Sequence, residues 1–167
     1  QTVGQIPLYY SHKNTGRPLP DGEWYQKYRS NYLDVTNEPL FPFGFGLSYT
    51  HFTYGDLRLD KILLKGEEKL TTSVTITNDG KVDGDEIVQL YIRDKIGSIT
   101  RPVKELKGFR KVHLKAGETR TIDFIISTED LKFYNYDLKY DWESGEFIIM
   151  AGGNSRDVKS AEVTWLK

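Results

Sequence analysis
The chain has 167 residues, and its 23 basic and 24 acidic side chains leave a formal net charge of -1. That balance gives no bulk electrostatic case for nucleic acid or an anionic membrane surface, and no apolar run approaches the ~20 residues of a membrane-spanning helix. With no cysteine, disulfide frameworks, thiolate metal sites and cysteine nucleophiles are excluded together.

The chain opens at Gln1 without a methionine or the basic start and apolar core of a signal peptide, so it is expected to begin inside a longer protein. Residues 1–38 carry little regular pattern. Val3 to Tyr10 reads as a short strand that Pro7 confines to an edge. Ser11 to Gly22 is a loop by its turn residues. Trp24, Tyr25, Tyr28, Tyr32 and Leu33 fall at roughly helical spacing, enough for one turn. A stretch this irregular is unusual inside a self-sufficient domain and reads as the tail of a larger one.

Pro39 to Thr50 follows as Pro-Leu-Phe-Pro-Phe-Gly-Phe-Gly-Leu-Ser-Tyr-Thr. Its prolines and glycines rule out a regular helix. Leu40, Phe41, Phe43 and Phe45 are too apolar to leave in water, since burying each is worth roughly 1.5–3 kcal/mol. The segment reads as a buried connector pinning one body against another.

From Thr50 onward the period becomes two. Phe52, Tyr54, Leu57 and Leu59 open a strand with an irregularity at Gly55. Leu70, Val74 and Ile76 lie in a threonine-rich strand of high β-propensity, ended by Asn78-Asp79-Gly80. Val88, Leu90 and Ile92 alternate with Gln89, Tyr91 and Arg93, predicting one dry face and one wet or half-wet face. Val103 to Leu114 is a strand pair or a bent strand kinked at Gly108, and residues 115–118 make a turn. Ile122, Phe124 and Ile126 form another strand, and Thr128 caps a helical turn. Phe133 to Trp142, then Phe147, Ile149 and Ala151, supply two more strands, and Ala161 to Leu166 closes the chain. The expected fold is all-β: an immunoglobulin-like or fibronectin type III-like sandwich of about seven strands with an irregular N-terminal extension.

No catalytic set emerges. His12, His51 and His113 are scattered, without metal-ligand spacing. The acidic residues of 78–86 lack the spacing of a calcium loop, and a hairpin connection explains them. Gly46 to Thr50 lacks the closing glycine of a nucleophile elbow, and Gly152 to Arg156 falls short of a phosphate loop. The basic series Arg101, Lys104, Lys107, Arg110, Lys111 and Lys115 reads as a solvated face. No metal or cofactor is implied.

Four motifs in order carry a resemblance: Pro42-Phe43-Gly44-Phe45-Gly46-Leu47-Ser48-Tyr49-Thr50, Asp83 to Tyr91, Arg101-Pro102-Val103-Lys104-Glu105-Leu106-Lys107-Gly108-Phe109, and Gly145-Glu146-Phe147 with Gly152 to Asp157. Gly4 to Tyr10 and His12 to Pro18 add to it. Together they resemble the C-terminal portion of glycoside hydrolase family 3, especially periplasmic-type bacterial β-glucosidases. The resemblance implies that residues 1–49 end an α/β sandwich domain and connect it onward, and that residues 50–167 form a fibronectin type III-like domain. It implies a retaining parent that cleaves terminal β-linked glucosyl residues with an aspartate nucleophile and a glutamate acid/base. Both carboxylates belong upstream of Gln1, so no catalytic residue is assigned here and the chain alone is expected to be inactive.

On the same resemblance, Phe41, Phe43, Phe45, Tyr49 and Arg101 are candidates for packing against the upstream catalytic domains. Arg17, Trp24, Tyr25 and Tyr28 are candidates for contact with a β-glucoside or oligosaccharide. The parent is expected in the periplasm or secreted, and the N-terminal segment can join copies into a homo-oligomer. The alternative is a free-standing carbohydrate-binding or protein-interaction sandwich.

Overall fold
Among the described residues there are ten strand segments: β1 (Phe52–Leu59), β2 (Leu63–Lys65), β3 (Leu70–Asn78), β4 (Gly84–Asp94), β5 (Glu105–Leu114), β6 (Thr119–Ile126), β7 (Phe133–Tyr134), β8 (Tyr140–Asp141), β9 (Gly145–Gly152) and β10 (Val158–Leu166). They come from a computed structural model that describes residues 2–20 and 23–167. Gln1 and the last two residues of the loop expected over 11–22 lie outside the described residues. No helix among those described is long and apolar enough to cross a membrane.

The strands form a three-stranded sheet in the order β1-β3-β6 and a five-stranded sheet in the order β2-β10-β9-β4-β5. Pairing is antiparallel apart from β2, which runs parallel to β10. Period-two patterning makes the layers: Leu70, Val74 and Ile76 of β3 and Ile122, Phe124 and Ile126 of β6 face Val88, Leu90, Ile92, Phe147, Ile149, Val163 and Trp165 across one core. Trp165 is its largest fully buried side chain. Its ring meets that of Trp142 edge-on at 6.3 Å, and its indole N–H donates to the Gly66 carbonyl at 3.0 Å. The expected irregularity at Gly55 is a register shift between Tyr54 and Leu57. The kink at Gly108 is a bulge, since Leu90 pairs with Gly108 while Tyr91 pairs with Leu106.

Several local expectations are corrected. Val3 to Tyr10 is not a strand: its amides find other acceptors, Gln5 N–H the Thr2 carbonyl and Ile6 N–H the Tyr32 hydroxyl. Trp24 to Leu33 forms turns rather than a helical turn, with Tyr28 in the left-handed region at φ 67°. The link 78–84 is not a hairpin, because β3 and β4 belong to different sheets. It is a crossover, knotted by buried Asn78, whose amide donates to the carbonyls of Val82 and Leu114 at 2.9 and 3.0 Å. Thr128 is inside the short 3-10 turn (128–131), and the cap is Ser127, whose N–H donates to the Asp130 carboxylate at 2.8 Å. Phe133 to Trp142 is a two-stranded hairpin of its own, not a strand of the sandwich.

The outer face of β4 also departs from expectation. Gln89 and Tyr91 alternate away from the core yet are buried, as is Met150 opposite Tyr91 on β9. The N-terminal segment lies over them.

Replacing Trp165 with Ala removes the central core ring and should cost about 3–5 kcal/mol of unfolding free energy, read as a lower urea midpoint without a change in slope.

Candidate functional site
The covered outer face is where the segment before Thr50 meets the sandwich. Tyr10 lies with its ring 4.5 Å from Phe43 and 5.6 Å, edge-on, from Tyr91. Two residues on, the His12 carbonyl accepts from Val103 N–H at 2.9 Å, and Lys13 bridges to Pro102. The connector is tied down by its backbone: the Phe43 carbonyl accepts from Ser155 N–H at 2.8 Å. The Ser155 carbonyl in turn accepts from Lys104 Nζ at 2.6 Å. Thr50 ends the connector by donating to Asn78 Oδ1 at 2.6 Å.

Beneath it runs a polar chain. The Tyr91 hydroxyl donates to Gln89 Oε1, and Gln89 Nε2 donates to the Gly153 carbonyl at 2.7 Å. Burial and the nearby Tyr10 raise the Tyr91 hydroxyl well above its usual pKa, so it stays a donor. Gly44 closes over this pair with φ 82°, and a Cβ there would stand 2.3 Å from Gln89 Nε2. Glycine is required twice over, by the conformation and by the approach. On β4's opposite face, three residues before Gln89, Glu86 accepts from the Tyr54 hydroxyl at 2.6 Å, with Gly153 against both.

The connector's side chains answer the sequence expectation differently from its backbone. Leu40, Phe41, Phe43, Phe45, Leu47 and Tyr49 are all exposed in this chain, and Pro42 is the one buried residue among those described before His51. The connector is anchored to the sandwich through its backbone, while its aromatic rings form an open face in this chain, with Phe41 and Phe45 paired at 5.0 Å. Exposed Phe109 sits opposite Gln89 on β5, next to the seat.

Arg101 lies at the other side of Lys13 and Pro102 with only 9% of its side chain exposed. It bonds Glu105 at 2.8 Å and stacks 3.8 Å over the Phe133 ring. The basic series divides: Arg101, Lys104 and Lys107 are largely covered, with Lys104 reaching the Ser155 carbonyl, while Arg110, Lys111 and Lys115 form the solvated face expected, with Arg110 on the Asp123 carbonyl and Lys111 on Asp85. Arg17, Trp24, Tyr25 and Tyr28 are all exposed on the N-terminal segment. The Arg17 carbonyl accepts from Ser30 N–H at 2.9 Å, which brings Arg17 near the end of the Trp24–Ser30 turns, and Trp24 and Tyr25 pair at 5.8 Å.

The carboxylates of the 78–86 link have separate partners. Asp79 holds His51, Asp83 accepts from Ala116 N–H, Asp85 holds Lys111 and His113, and Glu86 holds Tyr54. No metal-sized cluster occurs among the described residues. Burial pushes the carboxyls of Glu86 and Asp94 above their ordinary range. They lie on one face of β4, eight residues apart, which is roughly 26 Å at ~3.3 Å per residue. A glycosidase pair needs about 5–9.5 Å, so these two cannot work together. Gln89, Tyr91, Tyr10, Gly44 and Ser155 escaped sequence reasoning. A glutamine and a tyrosine in a strand's outward phase look solvated until something is known to cover them.

A fibronectin type III-like domain profile matches residues 86–155. A periplasmic β-glucosidase of Salmonella typhimurium is 50% identical over 159 residues, 95% of this chain and 21% of that protein. A β-xylosidase of Formosa agariphila is 44% identical over 164 residues, 97% of this chain and 22% of that protein. The β-glucosidase of Listeria innocua, solved with gluconolactone, matches with a TM-score of 0.89 and 43% identity over 98% of this chain and 23% of its own. The chain spans about a fifth of the length of these relatives. Its sandwich is a fibronectin type III-like domain. Segment and sandwich together belong to glycoside hydrolase family 3, where they match the C-terminal part of larger β-glucosidase chains.

Gly44→Ala should destabilise by about 1–3 kcal/mol, the range for overpacking, and should speed proteolytic cleavage within residues 39–50. Glu86 gives a pH test. Because burial raises its folded-state pKa, the folded chain holds this proton more tightly than the unfolded one. That stability is full below the ordinary value of 4.5 and is lost as pH rises through the raised value. Glu86→Gln should therefore raise the thermal midpoint at pH 7, with the gain shrinking toward pH 4 across a melting series.

Proposed function
We propose that this chain is the non-catalytic C-terminal part of a retaining β-glucosidase. Residues 1–49 end the α/β sandwich domain and form the connector, and residues 50–167 are the fibronectin type III-like domain. Phe41, Phe43, Phe45 and Tyr49 take the upstream catalytic domains, while Arg101 braces the loop beside their seat. Arg17, Trp24, Tyr25 and Tyr28 border the cleft that receives a β-glucoside or short oligosaccharide. The parent works in the periplasm or outside the cell, in keeping with the Salmonella relative's name.

The observation that carries this reading is the connector itself. Its backbone is bonded to the sandwich at Phe43 while its rings are open to water, and so large an apolar face marks a surface with a partner. In the absence of the upstream domains the same face can join copies of the chain.

The test is hydrolysis of an aryl β-glucoside by the chain alone and by the chain joined to the upstream portion such a parent carries. Turnover is expected only in the joined protein, and turnover by the pure chain would overturn the reading. A Phe41→Ala/Phe45→Ala double variant should melt within about 0.5 kcal/mol of wild type as an isolated chain, as surface changes do. In the joined protein it should lose about 2 kcal/mol or more, as interface anchors do. Equal losses in both settings would exclude these rings as interdomain anchors.

A further inference from the structure
The sheet beneath the connector carries an apolar surface of its own. In the β4–β5 register Asp85, Ile87 and Gln89 stand opposite His113, Lys111 and Phe109, and directly paired residues project on the same side of a sheet. Gln89 fixes which side, because Gly44 of the connector stands over it. Ile87 and Phe109 therefore lie on the outer face, Phe109 across from Gln89 and Ile87 one period-two step back along β4. As diagonal neighbours they are roughly 7–8 Å apart, within reach of an aromatic side chain. Phe109 is 66% exposed and Ile87 46%.

The connector continues this surface. After Gly44 it runs lengthwise toward the start of β4, since Ser48 and Thr50 come up against Gly84. The stretch between carries Phe45 and Leu47, both exposed. The rim on the sheet is polar: Asp85 holds both Lys111 and His113, at 2.8 Å each. An apolar centre with a polar rim is the anatomy of an interface. Single exposed apolar residues are ordinary, as Ile125 is opposite Thr71 on the other sheet, but a continuous group marks a contact surface.

The occupant follows from the side that the N-terminal segment takes. Tyr10 and Gly44 meet the outer face at Tyr91 and Gln89, so a body that this segment ends stands on that side of the sandwich. The matched part is 21%, 22% and 23% of the relatives named above, which leaves ample chain to cover it. A second copy fits less well, because antiparallel pairing of two β5 edges centred on Phe109 puts Lys107 opposite Lys111, like charge against like. We propose that Ile87 and Phe109, with Phe45 and Leu47 of the connector, form a surface that docks on the upstream α/β domain of the same chain. The proposal rests on the reading of this chain as the C-terminal part of a larger glycosidase. It goes beyond that reading by placing the contact on the sandwich sheet as well as on the connector. The sandwich is then a fixed part of the enzyme body, not a module tethered by residues 39–50.

The chain holds no cysteine, so Phe109→Cys and Ile87→Cys each give it one thiol, and Ile125→Cys places a control on the other sheet. Alkylation rates, read on the labelled peptide by mass spectrometry, are compared between the isolated chain and the chain joined to its upstream portion. The thiols at 109 and 87 should react freely in the isolated chain and at least tenfold more slowly in the joined protein, with the thiol at 125 unchanged. Each isolated variant should melt like wild type. Equal rates at 109 and 87 in both settings overturn the proposal. So does slowing of all three thiols together, which marks general shielding. Slowing in the isolated chain as its concentration rises also overturns it, making the face a contact between copies. Failure of the larger reading shows separately: protected thiols in a joined protein that does not hydrolyse an aryl β-glucoside keep the interface and refute the glycosidase assignment, and hydrolysis with unprotected thiols does the reverse.

Discussion

The middle of the five-stranded sheet is buried on both faces, although only one of them looks into the sandwich core. Gln89 and Tyr91 project to the outer side, where a polar side chain away from water needs a partner for each donor and acceptor. They satisfy one another and the Gly153 carbonyl. What keeps water away is the N-terminal segment, brought down by Tyr10 and Phe43 and by the Phe43–Ser155 backbone bond. Gly44, at φ 82°, lies directly over Gln89, where a side chain would collide with the Gln89 amide. The connector's course and its open aromatic rings follow from that seat.

The fold supplies the seat from distant parts of the sequence. Gln89 and Tyr91 come from β4, Lys104 from the start of β5, and Ser155 from the turn between β9 and β10. Asn78 holds the crossover between sheets and receives Thr50, so the point where the connector ends is also a point where the two layers are tied. The connector therefore cannot shift without disturbing either the outer face or the crossover. A rigidly held aromatic face suits the junction of a larger chain better than a tether would.

Much of the architecture was legible in residue order. The period-two runs named the long strands, Gly55 and Gly108 marked the bulges, and the ordered motifs from Pro42 to Asp157 pointed to glycoside hydrolase family 3. Where reading failed, the missing information was spatial. Asn78-Asp79-Gly80 carries the same turn chemistry whether the chain returns beside itself or crosses to another sheet. Val3 to Tyr10 has strand-like side chains, but no sheet edge is offered to it. Phe41 and Phe45 looked buried because of what they are, and are exposed because no described residue covers them.

By itself the sequence determined the fold class, the long strands, the lack of cysteine chemistry and the family, because these depend on local alternation, composition and motif order. Only the tertiary structure decided that β4 is dry on both faces at Gln89 and Tyr91 and that Gly44 is a contact glycine. It also separated Glu86 from Asp94 along one strand, and set Arg101 inward against Phe133 and Asp94. The physical reason is common to all four. Burial, close approach and pairing are properties of two surfaces at once, and the second surface in each case comes from a part of the chain that residue order does not place.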